Sequence, residues 1–359
     1  MDKTLQVIVM CIVTHLGLMF FLFPSDVMET VDVGHWLPIL VGYLLHFAFV
    51  ALYTKGLAYY DRHDLIDIFL TGGRTIAVLL LLPLAVYFIM VNIITVRAYS
   101  EIITIVFLSN TPLWAIMALL LTIPTYIAMT GIESIFRTGM LLAILFLPIV
   151  LFVICVSFHN TDWHYLFPLL ERDSFNFITE RPFLKSLFIF TGSFLFLGFV
   201  RPTVTYNRRR ILIASWILLP LVLLSVYIPL LTFGQDTASM LQFPFILAVD
   251  TIDITWLMFD RITGFFLLGM VTFVMLFVGL VMWATNRLIH RCMPRVRPEW
   301  ITLMLGMVIF AASLFVRDWG SVHRLFWWNS IFRIYAFSVI PLATYLFGVM
   351  KARKLQVSP

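Results

Sequence analysis

Two short polar interruptions, Thr14-His15-Leu16-Gly17 and Thr191-Gly192-Ser193, sit inside runs that are otherwise almost wholly apolar. In lipid, backbone N–H and C=O groups must be satisfied within their own segment, so helix breakers are tolerated only where they line a protein cavity. An unwound turn frees donors and acceptors, and a half-helix N-terminus beside it carries partial positive charge suited to a carboxylate. Gly17 and Gly192 permit the required backbone geometry and let a ligand approach the main chain. Close helix packing accounts for either glycine taken alone, because small residues are common at membrane helix contacts. Their matched places, in the first apolar run of each half of the chain, point to a transporter-type binding site at mid-membrane.

Other polar groups at membrane depth invite the same question. His15 reads either as a proton-sensitive group in that cavity or as a core histidine with one hydrogen bond. Arg97 and Glu101 stand at i,i+4, close enough to pair on one helix face, as a functional group or as a structural ion pair. Arg333 lies deep in the last apolar run, with Glu101 or backbone carbonyls as its partner. Asp260 and Arg261 mark the outer boundary of the eighth run. His159, Asp162 and His164 resemble a loose metal-ligand cluster, but their spacing is that of an ordinary polar loop. There is no Walker loop, nucleophile elbow or HExxH motif, so no catalytic residue, metal or cofactor is assigned. Cys11, Cys155 and Cys292 are scattered and build neither a metal site nor a disulfide framework.

The elements that must position these groups follow from composition. A hydrophobic fraction of 62% with only 12% charged residues excludes a soluble domain and a disordered chain. A hydrocarbon core about 30 Å thick requires roughly 20 apolar residues per helix. About ten runs meet that requirement: Leu5–Phe23, Trp36–Tyr53, Ile76–Leu108, Leu113–Met129 and Thr138–Phe158, then Leu184–Val200, Ile211–Phe233, Thr255–Thr285, Ile301–Val316 and Leu325–Met350. The first is read as a retained span, because Pro24 and acidic residues follow it and no cleavage pattern does. Most of the 24 Lys and Arg residues, including the run Arg208-Arg209-Arg210, fall on the side of the N-terminus, and the opposite loops are acid-rich. That bias predicts cytoplasmic termini and explains the net charge of +5 without a nucleic-acid partner. Residues 55–75 mix charged and apolar side chains, which suits a helix lying in the cytoplasmic interface. The expectation is a single membrane domain over 1–359, with one half at about 1–158 and the other at about 184–350.

Ordered landmarks add a resemblance over essentially the whole chain. Gln6 precedes the first span and Pro24 follows it; His35-Trp36 opens the second, and Arg97 and Glu101 stand on the third. Thr111-Pro112 starts the fourth, Gly131-Ile132-Glu133 with Arg137 precedes the fifth, and Leu166-Phe167-Pro168 follows it. Phe243-Pro244 and Pro341 complete the set. The pattern resembles the B subunits of spore germinant receptors, the endospore germination permeases (GerAB-like), within the amino acid–polyamine–organocation superfamily. The resemblance implies an all-α polytopic protein with a LeuT/APC-like five-plus-five inverted repeat whose helices one and six are unwound around the ligand. It implies sensing of a small nutrient, commonly an amino acid, in the spore inner membrane, with an A subunit and a C-subunit lipoprotein as partners. Carried across, the ligand shell is Thr14, His15, Leu16 and Gly17 on helix one and Thr191, Gly192 and Ser193 on helix six, with Asn92 and Thr272 as facing groups. The family usually has smaller residues where this chain has His15, a departure that bears on ligand size.

Three readings follow. The first is a receptor subunit that binds a nutrient and signals germination through its partners. The second is an ion-coupled amino acid transporter, which the same fold would serve equally well. The third is a polytopic envelope enzyme using His159, Asp162 and His164.

Overall fold

A segment that crosses lipid closes all its backbone hydrogen bonds only as a helix, and the apolar runs fold accordingly. The computed structural model describes residues 2–60, 62–170, 172–252 and 262–357. Among the described residues, nine helices are long and apolar enough to cross a membrane. The first helix, α1 (Lys3–Met19), is shorter and equally apolar. The boundary pair Asp260 and Arg261 and the start of the eighth run lie outside the described residues.

The first span is broken, but not at Thr14–Gly17. Helix α1 continues through all four residues, the chain turns at Phe20–Leu22, and α2 (Phe23–Met28) resumes. Pro24 places the break: it has no N–H to return to the carbonyl four residues earlier, and its fixed φ suits the first turn of a new helix. After α3 (Trp36–Ala58), the short α4 (Leu65–Leu70) lies where the interfacial helix was expected. Its N-cap Asp64 pairs with Arg287 and its own Asp67 with Arg291, each at 2.8 Å. Three long helices complete the first half: α5 (Arg74–Val106), α6 (Leu113–Thr130) and α7 (Ile132–Ser157).

The sixth span is broken twice, into α8 (Arg181–Ser186), α9 (Phe188–Leu195) and α10 (Leu197–Val200). Here too the polar triplet is helical, and the interruptions fall at Leu187 and Phe196. The hydroxyls explain why the polar residues do not unwind the chain locally. Thr14 Oγ1 donates to Met10 O (2.8 Å) and Thr191 Oγ1 to Leu187 O (3.0 Å), each folding back on its own helix. The remaining helices are α11 (Arg208–Phe233), two short ones, α12 (Gln235–Met240) and α13 (Pro244–Asp250), then α14 (Ile262–Cys292) and α15 (Pro298–Phe315). The last span divides into α16 (Trp319–Ile334) and α17 (Ile340–Val357) around a π-helical turn at Tyr335–Val339. Pro341 removes the N–H that would close the preceding turn, which accounts for the wider one.

Burial identifies the centre. In the sixth and eighth spans 89% and 72% of the apolar window is buried, against 33% in the third, fifth and ninth. Helix α14 packs on α1, α5, α6 and α7, while α11 packs on both α1 and α3. The two broken helices and α14 are therefore wrapped by the others, with lipid-facing leucine and phenylalanine outside.

Candidate functional site

A helix that stops inside a membrane leaves its last four carbonyls without intrahelical donors. The site is built from the side chains that answer them. Gly17 O, in the last turn of α1, accepts from Tyr99 Oη of α5 at 2.6 Å, and the Tyr99 ring packs against Phe21 in the turn itself. At the end of α8, Leu184 O and Lys185 O both accept from Arg333 Nη1 (3.3 and 2.8 Å). At the end of α9, Leu195 O accepts from Tyr53 Oη at 3.0 Å. Phe190 O accepts from His46 Nδ1 at 2.9 Å, and Cys11 O from His15 Nδ1 at 2.6 Å. A carbonyl only accepts, so both imidazoles carry their proton on Nδ1 in this arrangement. The two rings meet edge to face with centroids 5.1 Å apart, at a cavity with room for at most one water (about 10 Å³ for its centre).

The glycines face protein. A Cβ on Gly17 would stand 2.9–3.1 Å from the backbone of Phe273 and Val274, so α1 and α14 touch through their main chains there. A Cβ on Gly192 would stand 2.7 Å from Phe277 Cζ and 3.5 Å from Tyr87 Oη. Thr14, His15, Leu16, Thr191 and Ser193 are likewise buried. Asn92 is fully buried on α5, and it lies seven residues before Tyr99, hence on the same helix face. Thr272 is placed elsewhere. It is half-buried, donates to Leu268 O of its own helix at 2.6 Å, and leaves Phe273, Val274 and Phe277 as the groups α14 presents inward.

What distinguishes this region is polar capacity that the protein does not use. Neither amide atom of Asn92 has a partner, nor do Ser193 Oγ, Tyr87 Oη and His15 Nε2, all buried. Leaving such a group unpaired costs about 1–3 kcal/mol. Several together in an apolar core mark a place shaped for something other than stability.

The ionic groups divide by role. Arg97 pairs with Glu101 and also donates to Val316 O (2.8 Å) and Arg317 O (3.2 Å), capping the end of α15. Arg333 meets backbone carbonyls rather than Glu101, and its guanidinium lies 4.4 Å from the Phe326 ring centroid. Lys185 of α8 forms a 3.2 Å ion pair with Asp26 of α2, joining the two broken spans in a nearly buried position. In the loop between the fifth and sixth spans, His164 and Asp162 form an exposed pair at 2.7 Å. Among the described residues no group of three or more side chains is arranged to hold a metal.

Sequence reasoning missed Tyr99, Tyr53, His46 and Asp26. Their signal was available as hydroxyl, imidazole or carboxylate groups within or beside apolar runs. Nothing local says which helix end each would reach.

A sequence model of the family described as "Spore germination protein" matches residues 3–318. No curated protein sequence matches the chain. Among solved structures, MhsT in complex with L-phenylalanine superposes with a TM-score of 0.64 at 11% identity, covering 97% of this chain and 98% of that one. A manganese transporter from Eremococcus coleocola, in complex with an aromatic bis-isothiourea substituted compound, gives a TM-score of 0.59 at 13% identity, covering 97% and 77%. At these identities the two likenesses establish the fold: an all-helical, LeuT-like membrane architecture with broken first and sixth helices. Combined with the family match over most of its length, this makes the chain a multi-pass membrane protein that belongs to the spore germination protein family.

Proposed function

We propose that the chain is the membrane subunit of a nutrient-germinant receptor. It binds a small nutrient, an amino acid, at mid-membrane between the broken helices, and it passes a change in helix packing to an A subunit and a C-subunit lipoprotein. The observation that carries this reading is the set of buried, unpartnered polar atoms on Tyr87 and Asn92 of the third span and Ser193 of the broken sixth, with Tyr87 Oη against the Gly192 position. The protein is not an enzyme in this reading. It sits in the cell membrane and the spore inner membrane with both termini cytoplasmic, and residues 1–158 and 184–350 act as the two repeats. Amino acid as ligand class is supported by the fold likeness to a protein held with L-phenylalanine.

Signalling requires that the nutrient bind one helix packing more tightly than another, since equal affinity shifts nothing. Thermal unfolding of the purified protein across an amino acid and sugar panel tests the binding step. A stabiliser of the folded state raises the apparent midpoint as its concentration passes Kd. The Gly192→Val variant, whose side chain would enter the space of Phe277 and Tyr87, is expected to lose that shift. If no compound stabilises the wild type, the isolated subunit holds no competent site.

The same fold also serves an ion-coupled amino acid transporter, and the buried His15–His46 contact between the first and second spans is the feature that favours that alternative. Counterflow uptake in proteoliposomes separates the two: flux dependent on a proton or sodium gradient supports transport, while binding without flux supports the receptor.

A further inference from the structure

Around Arg333, α16 packs on α5 and α8, and α8 on α2; between them these elements leave a complementary set of charges and hydrogen-bonding groups unused. Arg333 is 1% exposed, Asn329 and Tyr87 are fully buried, and Asp26 is 4% exposed. Asn329 stands four residues before Arg333 on α16, so both share a helix face. Helix α16 packs on α5, which carries Tyr87, and on α8; α8 in turn packs on α2, which carries Asp26. Tyr87 Oη approaches the Gly192 position on α9, and Phe188, one turn earlier on α9, meets the Phe326 ring over which Arg333 lies (centroids 5.1 Å apart; guanidinium 4.4 Å from the ring centroid). Lys185 joins the group physically, its carbonyl bound to Arg333 and its ammonium paired with Asp26.

The guanidinium is held rigidly. Nη1 donates to Leu184 O, Lys185 O and Ser330 Oγ, and Nη2 donates to Phe326 O. Its Nε–H has no partner, nor do Nδ2 and Oδ1 of Asn329, Oη of Tyr87 and Oδ2 of Asp26. The unused groups are thus a fixed cationic donor, an amide, a phenol and one carboxylate oxygen. A purely structural arginine cap would call for none of the other three.

Resting on the nutrient-binding reading above, we infer that this cluster is the head-group subsite for a zwitterionic α-amino acid. The ligand carboxylate is taken by Arg333 Nε, Asn329 Nδ2 and Tyr87 Oη, and its ammonium by Asp26 Oδ2. A fixed arginine recognises a carboxylate better than a lysine would, because its planar donors are already oriented. The side chain of the ligand then points toward Gly192 and Ser193, since Tyr87 Oη already approaches the Gly192 position. The arrangement seen here is shut. The cavity at its outer edge, lined by Leu22, Asp26, Trp319, Val322, His323 and Phe326, has room for one water (about 10 Å³ for its centre). Admission requires the Asp26–Lys185 contact to move away from α16, so that the groups that seal the site are those that bind.

The test is ligand-dependent thermal stabilisation with the twenty standard L-amino acids, each compared with its decarboxylated amine and its deaminated acid. Wild-type protein, Asn329→Leu and Asp26→Asn are measured in parallel. At least one amino acid is expected to stabilise the wild type while its amine and acid analogues do not. Asn329→Leu is expected to bind at least tenfold more weakly, and its ligand-free midpoint to equal or exceed that of wild type. That second readout separates binding from structure, because an amide serving the fold would lower the midpoint when removed. Stabilisation that survives both substitutions, or is matched by either analogue, overturns the subsite and leaves nutrient binding standing. Stabilisation of the wild type by a sugar alone, or by nothing, overturns the subsite together with the reading it rests on.

Discussion

Replacing Tyr99 with Phe should loosen the break in the first helix. The hydroxyl donates to Gly17 O at 2.6 Å, and Tyr99 is only 3% exposed, so water cannot readily take its place. Gly17 lies among the last four residues of α1, whose carbonyls have no donor within the helix. Removing one partner from a buried pair costs the desolvation of the group left behind, about 1–3 kcal/mol, rather than the smaller net value of the bond. That range is roughly a 5- to 150-fold change in an equilibrium constant. The ring and its contact with Phe21 remain in Phe, so the loss belongs to the hydrogen bond alone. Thermal unfolding of matched preparations should show a lower midpoint for Tyr99→Phe, and backbone hydrogen exchange should quicken at Phe20–Leu22. An unchanged midpoint together with unchanged exchange in the turn would refute the argument that this hydroxyl sustains the break.

Further outcomes follow from other contacts. Lys185→Met leaves Asp26 buried without its ion-pair partner and should cost about 3–5 kcal/mol; adding Asp26→Asn should recover most of that, read as non-additive shifts of the unfolding midpoint. Gly17→Ala pushes a methyl against the backbone of α14 and should destabilise by about 1–3 kcal/mol. Gly264→Ala, whose nearest neighbour would be 3.8 Å away, should be neutral or slightly stabilising in the same assay. His35, ahead of α3, is held down at about 4, chiefly by burial. Its folded state refuses a proton that the unfolded chain accepts, so its contribution is complete above about pH 6.5 and is lost as pH falls toward 4; His35→Gln should flatten unfolding midpoints across that window. Alanine at His159, Asp162 and His164 together should leave the ligand response intact, and its loss would revive the envelope-enzyme reading.

The spans themselves were legible because hydropathy over roughly 20 residues is a local property and lipid enforces the helix. The third span, expected at Ile76–Leu108, is Arg74–Val106, and the helix runs unbroken through Pro83, Arg97 and Glu101. The two broken helices were legible as helices, from polar residues in matched positions. The residues that break were not the polar ones. Thr14 and Thr191 satisfy their hydroxyls on their own helices, and Gly17 and Gly192 are packed against α14, so those turns gain nothing by unwinding. The break at Phe20–Leu22 follows from Pro24, a signal present in the sequence and read there only as the end of the span. The breaks at Leu187 and Phe196 have no such mark, and their neighbouring carbonyls are held by Arg333 and Tyr53 from distant parts of the chain.

The sequence by itself determined that this is a polytopic helical membrane protein of about ten spans and carried the family pattern of short motifs. Composition and periodicity suffice for that, because the bilayer judges each segment separately. Only the tertiary structure decided which polar groups meet. Tyr99 reaches Gly17 across 82 residues, and Arg333 reaches Lys185 across 148. Thr272 turns away while Asn92 turns inward. Those outcomes depend on how helices rotate and pack against one another, and a side chain's place around a helix axis has meaning only once its neighbours are in place.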